Sequence, residues 1–247
     1  MINYFDFLSN RESFLSSKPF NHIVIDNFFE KEVADEIAKE FPSHDSSVWT
    51  VSYNNPIEIK KACSHWDKFP KTIYSALYYL CSNVFTHKMN MLTAKDNIRA
   101  DYGLNGGGMH SHSRGGKLNI HKDYSIHPKL NYKRNYNLIV YMTPDWDPSW
   151  GGSLGLWYSD GKSPSSRSVK YENVFNRAII FDTTQDSWHG LPEEITCPEI
   201  ISRRSLAVYY MSRVDNNTEP RFRAQFVPNE EQKRDPSIVK FCEERSK

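Results

Sequence analysis

Cysteine is scarce in this chain of 247 residues: Cys63, Cys81, Cys197 and Cys242 are the only four, and no two form a Cys-x-x-Cys pair. Such scatter argues against a disulfide framework or a structural zinc site and predicts reduced thiols, as in cytosolic proteins. Charge of one sign is also lacking. Thirty-one Lys and Arg stand against thirty Asp and Glu, leaving a net charge of +1 with no basic block and no long acidic run. Electrostatics therefore offers nothing that would draw the chain to nucleic acid or to an anionic membrane. No stretch approaches the roughly 18 consecutive apolar residues of a membrane span. The opening MINYFDFLSNRESF has acids where a secretory signal needs a basic end and an apolar run, so a cytoplasmic location is expected. Internal repeats and low-complexity segments are absent too, which excludes a solenoid.

What the chain does contain is apolar and aromatic matter: 38% hydrophobic residues, with 14% aromatic. That is enough for the core of one large domain rich in strands. His22–Phe28 reads as a short buried strand, and Lys31–Phe41 as a helix with Val33, Ala34, Ile37 and Phe41 on one stripe, ended by Pro42. From Thr72 to Phe85 the apolar positions Ile73, Ala76, Leu77, Leu80, Cys81 and Val84 have the spacing of one buried helical face. After about residue 100 the pattern changes. Lys117–His121, Tyr136–Met142, Ser153–Tyr158, Ser168–Tyr171, Ala178–Asp182 and Ser205–Met211 are short β-rich runs punctuated by Gly, Pro, Asn and Asp. Strands at such intervals indicate a sandwich or barrel, so the fold class is α+β and mainly β, with the helices bracing one sheet. Ser159–Lys162 is a hairpin turn between two of the strands. The expected organisation is a single domain over 1–247: strand and helix support over 1–100, a catalytic core over 101–212, and a charged C-terminal extension over 213–247 in which no chemistry is legible.

The informative stretch is Leu118–Tyr124, LNIHKDY. On a strand, His121 and Asp123 project from one face and Lys122 from the other, giving a two-ligand bite for a metal. His189, in Asp186-Ser187-Trp188-His189-Gly190 directly after an apolar strand, is the best candidate for a third ligand. Two histidines and one carboxylate on one face of an octahedron are the donor set of non-haem iron(II), which leaves three adjacent positions open. A 2-oxo acid fills two of these and dioxygen the third. The far carboxylate of such an acid needs a cation, and a guanidinium clamps it with paired, charge-assisted hydrogen bonds. Fourteen residues beyond His189, Arg203 and Ser205 share a strand face and supply that fork and a hydroxyl. Each feature alone has a commoner structural reading; the order His-x-Asp, Gly-Gly hairpin, strand ending in His, strand opening with Arg-x-Ser is what is specific.

With these motifs the chain resembles the 2-oxoglutarate/iron(II) oxygenase superfamily, in particular its prolyl-hydroxylase-like branch, from about Asp101 to Ser212, with a weaker echo in Pro19–Pro42. The resemblance implies a double-stranded β-helix (jelly-roll) core, iron on His121, Asp123 and His189, and the C5 carboxylate of 2-oxoglutarate on Arg203 and Ser205. In the block Arg134–Trp146, followed by Gly151-Gly152, it implies a further hydrogen bond to that carboxylate from Tyr141. Asn137 and Ile139 lie on the Tyr141 face and line the same pocket. An acid at position 123 favours hydroxylation over halogenation. The implied reaction is decarboxylation of 2-oxoglutarate to succinate and carbon dioxide, coupled by dioxygen to hydroxylation of a peptidyl (prolyl among them) or small-molecule substrate.

Several residues admit other roles. His110 and His112, in GGGMHSHS, compete as ligands; with His121 they would make a cupin-like site that does not use 2-oxoglutarate. A non-catalytic jelly-roll module binding carbohydrate, with structural histidines, is the other alternative. His127 is a loop histidine within reach of a substrate. Tyr124, Trp146, Trp150, Trp157 and Trp188 sit near strand ends, where they either shape a cleft or pack in the core. The Asp145–Gly152 and Ser159–Ser168 loops are candidate lids.

Overall fold

The computed structural model describes residues 1–246. Its helices are α1 (Arg11–Ser16), α2 (Lys31–Glu40), α3 (Lys71–Cys81), α4 (Asn83–Thr93) and α5 (Pro236–Ser246). Its strands begin with β1 (His22–Ile25), β2 (Val51–Asn55), β3 (Glu58–Cys63), β4 (Arg99–Ala100), β5 (Gly108–His112), β6 (Lys117–Leu118) and β7 (His121–Lys122). They continue with β8 (Tyr132–Tyr141), β9 (Leu154–Ser159), β10 (Pro164–Tyr171), β11 (Ala178–Asp182), β12 (His189–Gly190), β13 (Arg203–Arg213) and β14 (Gln225–Phe226). No helix among the described residues is long and apolar enough to cross a membrane. The four cysteines are free and buried.

Two antiparallel sheets face each other. The larger runs β1-β11-β8-β13-β5-β3-β2, with β4 beside β13 and β6 beside β3; the smaller runs β10-β9-β12-β7-β14. Together they form the double-stranded β-helix expected from the sequence. Period-2 alternation divides each long strand between two environments. On β8 and β13 the residues Leu138, Val140, Leu206, Val208 and Tyr210 face outward and join Ile37, Ile73, Leu77, Leu80 and Phe85 of the helices in the main core. On the opposite strand faces, Tyr141, Leu154, Leu156, Ile179 and Phe181 form a second, smaller apolar cluster. β11 is buried on both faces, hence its unbroken apolar run AIIF.

The helical stretch that the periodicity runs through Phe85 is two helices. It breaks at Ser82, whose backbone is extended and whose hydroxyl accepts the Phe85 N–H while donating to the Tyr79 carbonyl, a cap formed inside the apolar pattern. The break turns Val84 out to 61% exposure, so it is not on the buried face the spacing assigned to it. The termini contribute more than support. The hairpin β2–β3 extends the large sheet through β5, and β14 pairs with β7, the strand carrying His121. Ser159–Ser168 is mostly hairpin, β9 and β10 being joined by a turn in which Asp160 accepts the N–H groups of Lys162 and Ser163.

Candidate metal centre

Short strands of the smaller sheet deliver the histidines. β12 pairs with β7 so that His189 lies directly opposite His121, and the two rings are 4.2 Å apart between centroids. Each ring meets the backbone carbonyl two residues before it through Nδ1: Asn119 O for His121 and Ser187 O for His189, both at 2.9 Å. A carbonyl can only accept, so each Nδ1 carries the hydrogen and each Nε2 presents a bare lone pair inward. Phe226 of β14 stacks on His121 at 5.0 Å and Phe181 backs His189 at 4.8 Å, fixing the ring planes with apolar contact.

Asp123 follows β7 and completes the set. Its Oδ1 is 3.6 Å from His121 Nε2 and its Oδ2 is 3.8 Å from His189 Nε2. All three side chains are buried, and one donor atom from each lies within 4.8 Å of the others. Burial lowers His189 to about 4, so the imidazole is neutral near pH 7. Burial works to raise the Asp123 carboxyl, but the adjoining His121 ring, with His189 and Arg134 nearby, outweighs it and holds the group well below the usual carboxylate range. Two imidazole nitrogens and one carboxylate, converging in a buried site, are a donor set suited to a divalent cation. Among the described residues no other group of His, Cys, Asp and Glu is gathered in this way. His110 and His112 are not part of it.

The triad opens onto a cavity of about 370 Å³. Along β13, Arg203, Ser205, Ala207 and Tyr209 all face it, with Asn137 and Ile139 of β8 and His110 and His112 of β5 alongside. Arg203 is 3% exposed, and its Nε donates to the Gly152 carbonyl at 2.7 Å. Gly152 has a φ of +76°, and a Cβ there would come within 3.0 Å of Arg203 Cδ, so only glycine lets the loop close on this arginine. Burial lowers the guanidinium's pKa, opposed by Tyr141, whose ring centroid lies 4.7 Å away. No carboxylate among the described residues pairs with Arg203. Around it the Tyr141 hydroxyl, the Asn137 carbonyl oxygen and both ring nitrogens of His112 are buried without a hydrogen-bond partner. Arg204 points the other way, toward the Ala38 carbonyl and the Phe41 ring.

Other candidates lie elsewhere. His127 accepts two backbone N–H groups through Nδ1 and turns Nε2 to Asp101 at 3.3 Å, away from the cavity wall. None of the tryptophans lines this cavity: Trp146 and Trp150 pack with Leu191 and Ile195, and Trp188 lies under Lys122 Nζ at 4.8 Å. Tyr124 does line it. The mouth is built by segments that sequence reasoning passed over: Tyr53, Glu58 and Lys60 of the β2–β3 hairpin, and Phe222, Arg223 and Arg245 of the C-terminal segment. Neither loop singled out as a lid contributes to it. Arg134 and Tyr209 were missed as well. Tyr209 was within reach, since positions 203, 205, 207 and 209 share a strand phase. Arg134 was not, because an extra residue in β8, Asn135, shifts the register against β13 and swaps the faces beyond it.

The sequence model of the 2OG-Fe(II) oxygenase superfamily matches residues 107–211. Residues 107–211 are thus similar in sequence to a 2OG-Fe(II) oxygenase core. Solved structures agree with the fold of that core. A prolyl-4-hydroxylase from Pseudomonas putida superposes with a TM-score of 0.58 at 13% identity, covering 84% of this chain and 99% of that one. A prolyl hydroxylase from Trichoplax adhaerens, in complex with a hypoxia-inducible-factor peptide fragment, gives 0.56 at 17% identity over 84% and 88%. HygX from Streptomyces hygroscopicus, with nickel, 2-oxoglutarate and hygromycin B bound, gives 0.52 at 11% identity over 77% and 82%. At these identities the likeness to each is one of fold. No curated protein matches the chain.

Proposed function

We propose that the protein is an iron(II)- and 2-oxoglutarate-dependent dioxygenase that hydroxylates an unactivated C–H bond, with release of succinate and carbon dioxide. His121, Asp123 and His189 would hold the iron, which supplies the redox chemistry that joins dioxygen to 2-oxo acid decarboxylation. The observation that carries the cosubstrate is Arg203: a buried guanidinium without a carboxylate partner, beside the metal triad. A buried unpaired cation is costly, and a dicarboxylate reaching in from the metal compensates it. Ser205 and Tyr141 are placed to add hydrogen bonds to the same carboxylate, and Asn137 to line the pocket. The apolar packing of Leu154, Ile179 and Phe181 behind them excludes water.

The substrate would enter between the β2–β3 hairpin and the C-terminal segment. The cavity suits a small molecule or one side chain of a peptide. Once Arg203 is matched to the cosubstrate and Asp123 to iron, Lys60, Arg223 and Arg245 outnumber Glu58 at the mouth, which favours a substrate bearing negative charge. Anaerobic addition of 2-oxoglutarate to the iron(II)-loaded protein should produce a visible charge-transfer band, and admission of oxygen should yield succinate. Absence of both would refute the assignment. Comparing succinate release with N-acetylaspartate and N-acetylasparagine probes the charge preference; the acid is expected to stimulate more.

A further inference from the structure

Asp123 is held by more than its place after β7. Its backbone carbonyl accepts from Arg221 Nε at 3.1 Å, and its Oδ2 accepts from the Tyr209 hydroxyl at 3.0 Å. A carboxylate has no hydrogen to give, so the phenol is the donor. Tyr209 is 6% exposed. Its ring is one side of a sandwich: the Arg134 guanidinium carbon lies 3.4 Å from the Tyr209 centroid and 3.8 Å from the Tyr124 centroid. The middle and far members of that stack are anchored to one residue. Arg134 Nη2 donates to the Asn105 carbonyl, and the Tyr124 hydroxyl donates to Asn105 Oδ1 at 2.6 Å. Asn105 is fixed in turn, since the wholly buried Asp101 accepts the N–H groups of Gly103 and Asn105, each at 2.9 Å.

We propose that Tyr209 is a positioning residue for the metal carboxylate: by occupying Oδ2 as a donor it leaves Oδ1 for the metal and restrains Asp123 to attachment through one oxygen. The Arg134–Tyr124 stack holds the phenol in that role. The consequence is chemical. A carboxylate free to swing would bind through both oxygens and consume one of the positions that a 2-oxo acid and dioxygen require. Tyr209 thereby protects the vacancy count of the site by acting through Asp123. This inference rests on the metal reading of His121, Asp123 and His189.

Cobalt(II) is the probe, since its affinity and visible spectrum report the site without turnover. Equilibrium dialysis of the full-length apoprotein should show Tyr209→Phe binding cobalt(II) about 10- to 100-fold more weakly than wild type, the range found when such supporting partners are removed. The cobalt(II) spectrum should change as the carboxylate takes up two-oxygen ligation, while the apoprotein keeps a cooperative thermal transition. Arg134→Lys retains the charge but not the planar stack, and should shift affinity in the same direction by a smaller factor; it also serves as the test should Tyr209→Phe not fold. If wild type binds no cobalt(II), the metal reading itself falls. If wild type binds and Tyr209→Phe matches it within twofold with an unchanged spectrum, the positioning role is wrong, and Tyr209 is a packing residue only.

Discussion

Arg203 and Arg204 are adjacent arginines on opposite faces of β13, and replacing each by alanine separates a ligand-binding role from a structural one. Arg203 is buried, tied to Gly152 by Nε alone, and turned to the cavity with no carboxylate to oppose it. Truncating one member of a buried, hydrogen-bonded charge pair costs about 2–5 kcal/mol. Taking about 3 kcal/mol, Arg203→Ala should weaken 2-oxoglutarate binding about 150-fold. Arg204 reaches the Ala38 carbonyl at 3.4 Å and lies 5.9 Å from the Phe41 ring, on the helix-covered side. Arg204→Ala should therefore leave 2-oxoglutarate affinity within about twofold and cost about 1 kcal/mol of stability through lost packing. Calorimetric titration of the manganese(II)-loaded variants with 2-oxoglutarate reads both values. Loss confined to Arg204→Ala, or equal loss in both, would refute the assignment of the clamp to Arg203.

Further outcomes follow from the same geometry. Asp123→Ala should abolish stoichiometric iron(II) retention, because it removes the only carboxylate of the donor set; inductively coupled plasma analysis after desalting measures it, with a cooperative thermal transition as the check on folding. Gly152→Ala forces a Cβ to within 3.0 Å of Arg203 Cδ at a φ of +76°, so the KM for 2-oxoglutarate should rise several-fold while the KM for metal does not. His112 is buried with neither nitrogen partnered, and burial, with Arg203 the next cause, holds its pKa well below 6.5. The unfolded chain therefore binds the proton first as pH falls, and stability is lost from about pH 6.5 downward. Urea unfolding of His112→Gln should show a shallower acid limb; an unchanged limb would contradict it. Phe226→Ala removes the ring stacked on His121 and should weaken cobalt(II) binding with little change in 2-oxoglutarate affinity measured at saturating metal.

The parts of this protein that were legible before folding are those in which periodicity and chemistry coincide. β8 and β13 are long and largely buried, and β11 is an unbroken apolar run, so their residues announce the strands. His121 and Asp123 announce themselves by type and spacing, and Arg203 by its phase with Ser205. The hairpin β2–β3 carries no such pattern: VSYNN and EIKKAC lie at the edge of the sheet, mostly part-exposed, and no apolar alternation marks them. The C-terminal segment looks like a charged tail because its apolar residues are few. Yet Phe226, Cys242 and Ile57 form a small core of their own that seats it against the mouth of the cavity. Arg134 depended on a bulge, and the break at Ser82 on a serine satisfying two backbone groups at once. Both are decided by hydrogen bonds that a hydropathy pattern does not record.

The claim on which everything else depends is that three side chains distant in sequence bind one divalent ion. A crystal structure of the protein grown with manganese(II) and N-oxalylglycine, with anomalous scattering recorded for the metal, tests it directly. The account predicts a single strong peak coordinated by His121 Nε2, His189 Nε2 and one oxygen of Asp123, with the analogue's far carboxylate on Arg203. A metal ligated by His110 or His112 instead, or no ordered metal within reach of Asp123, would contradict it.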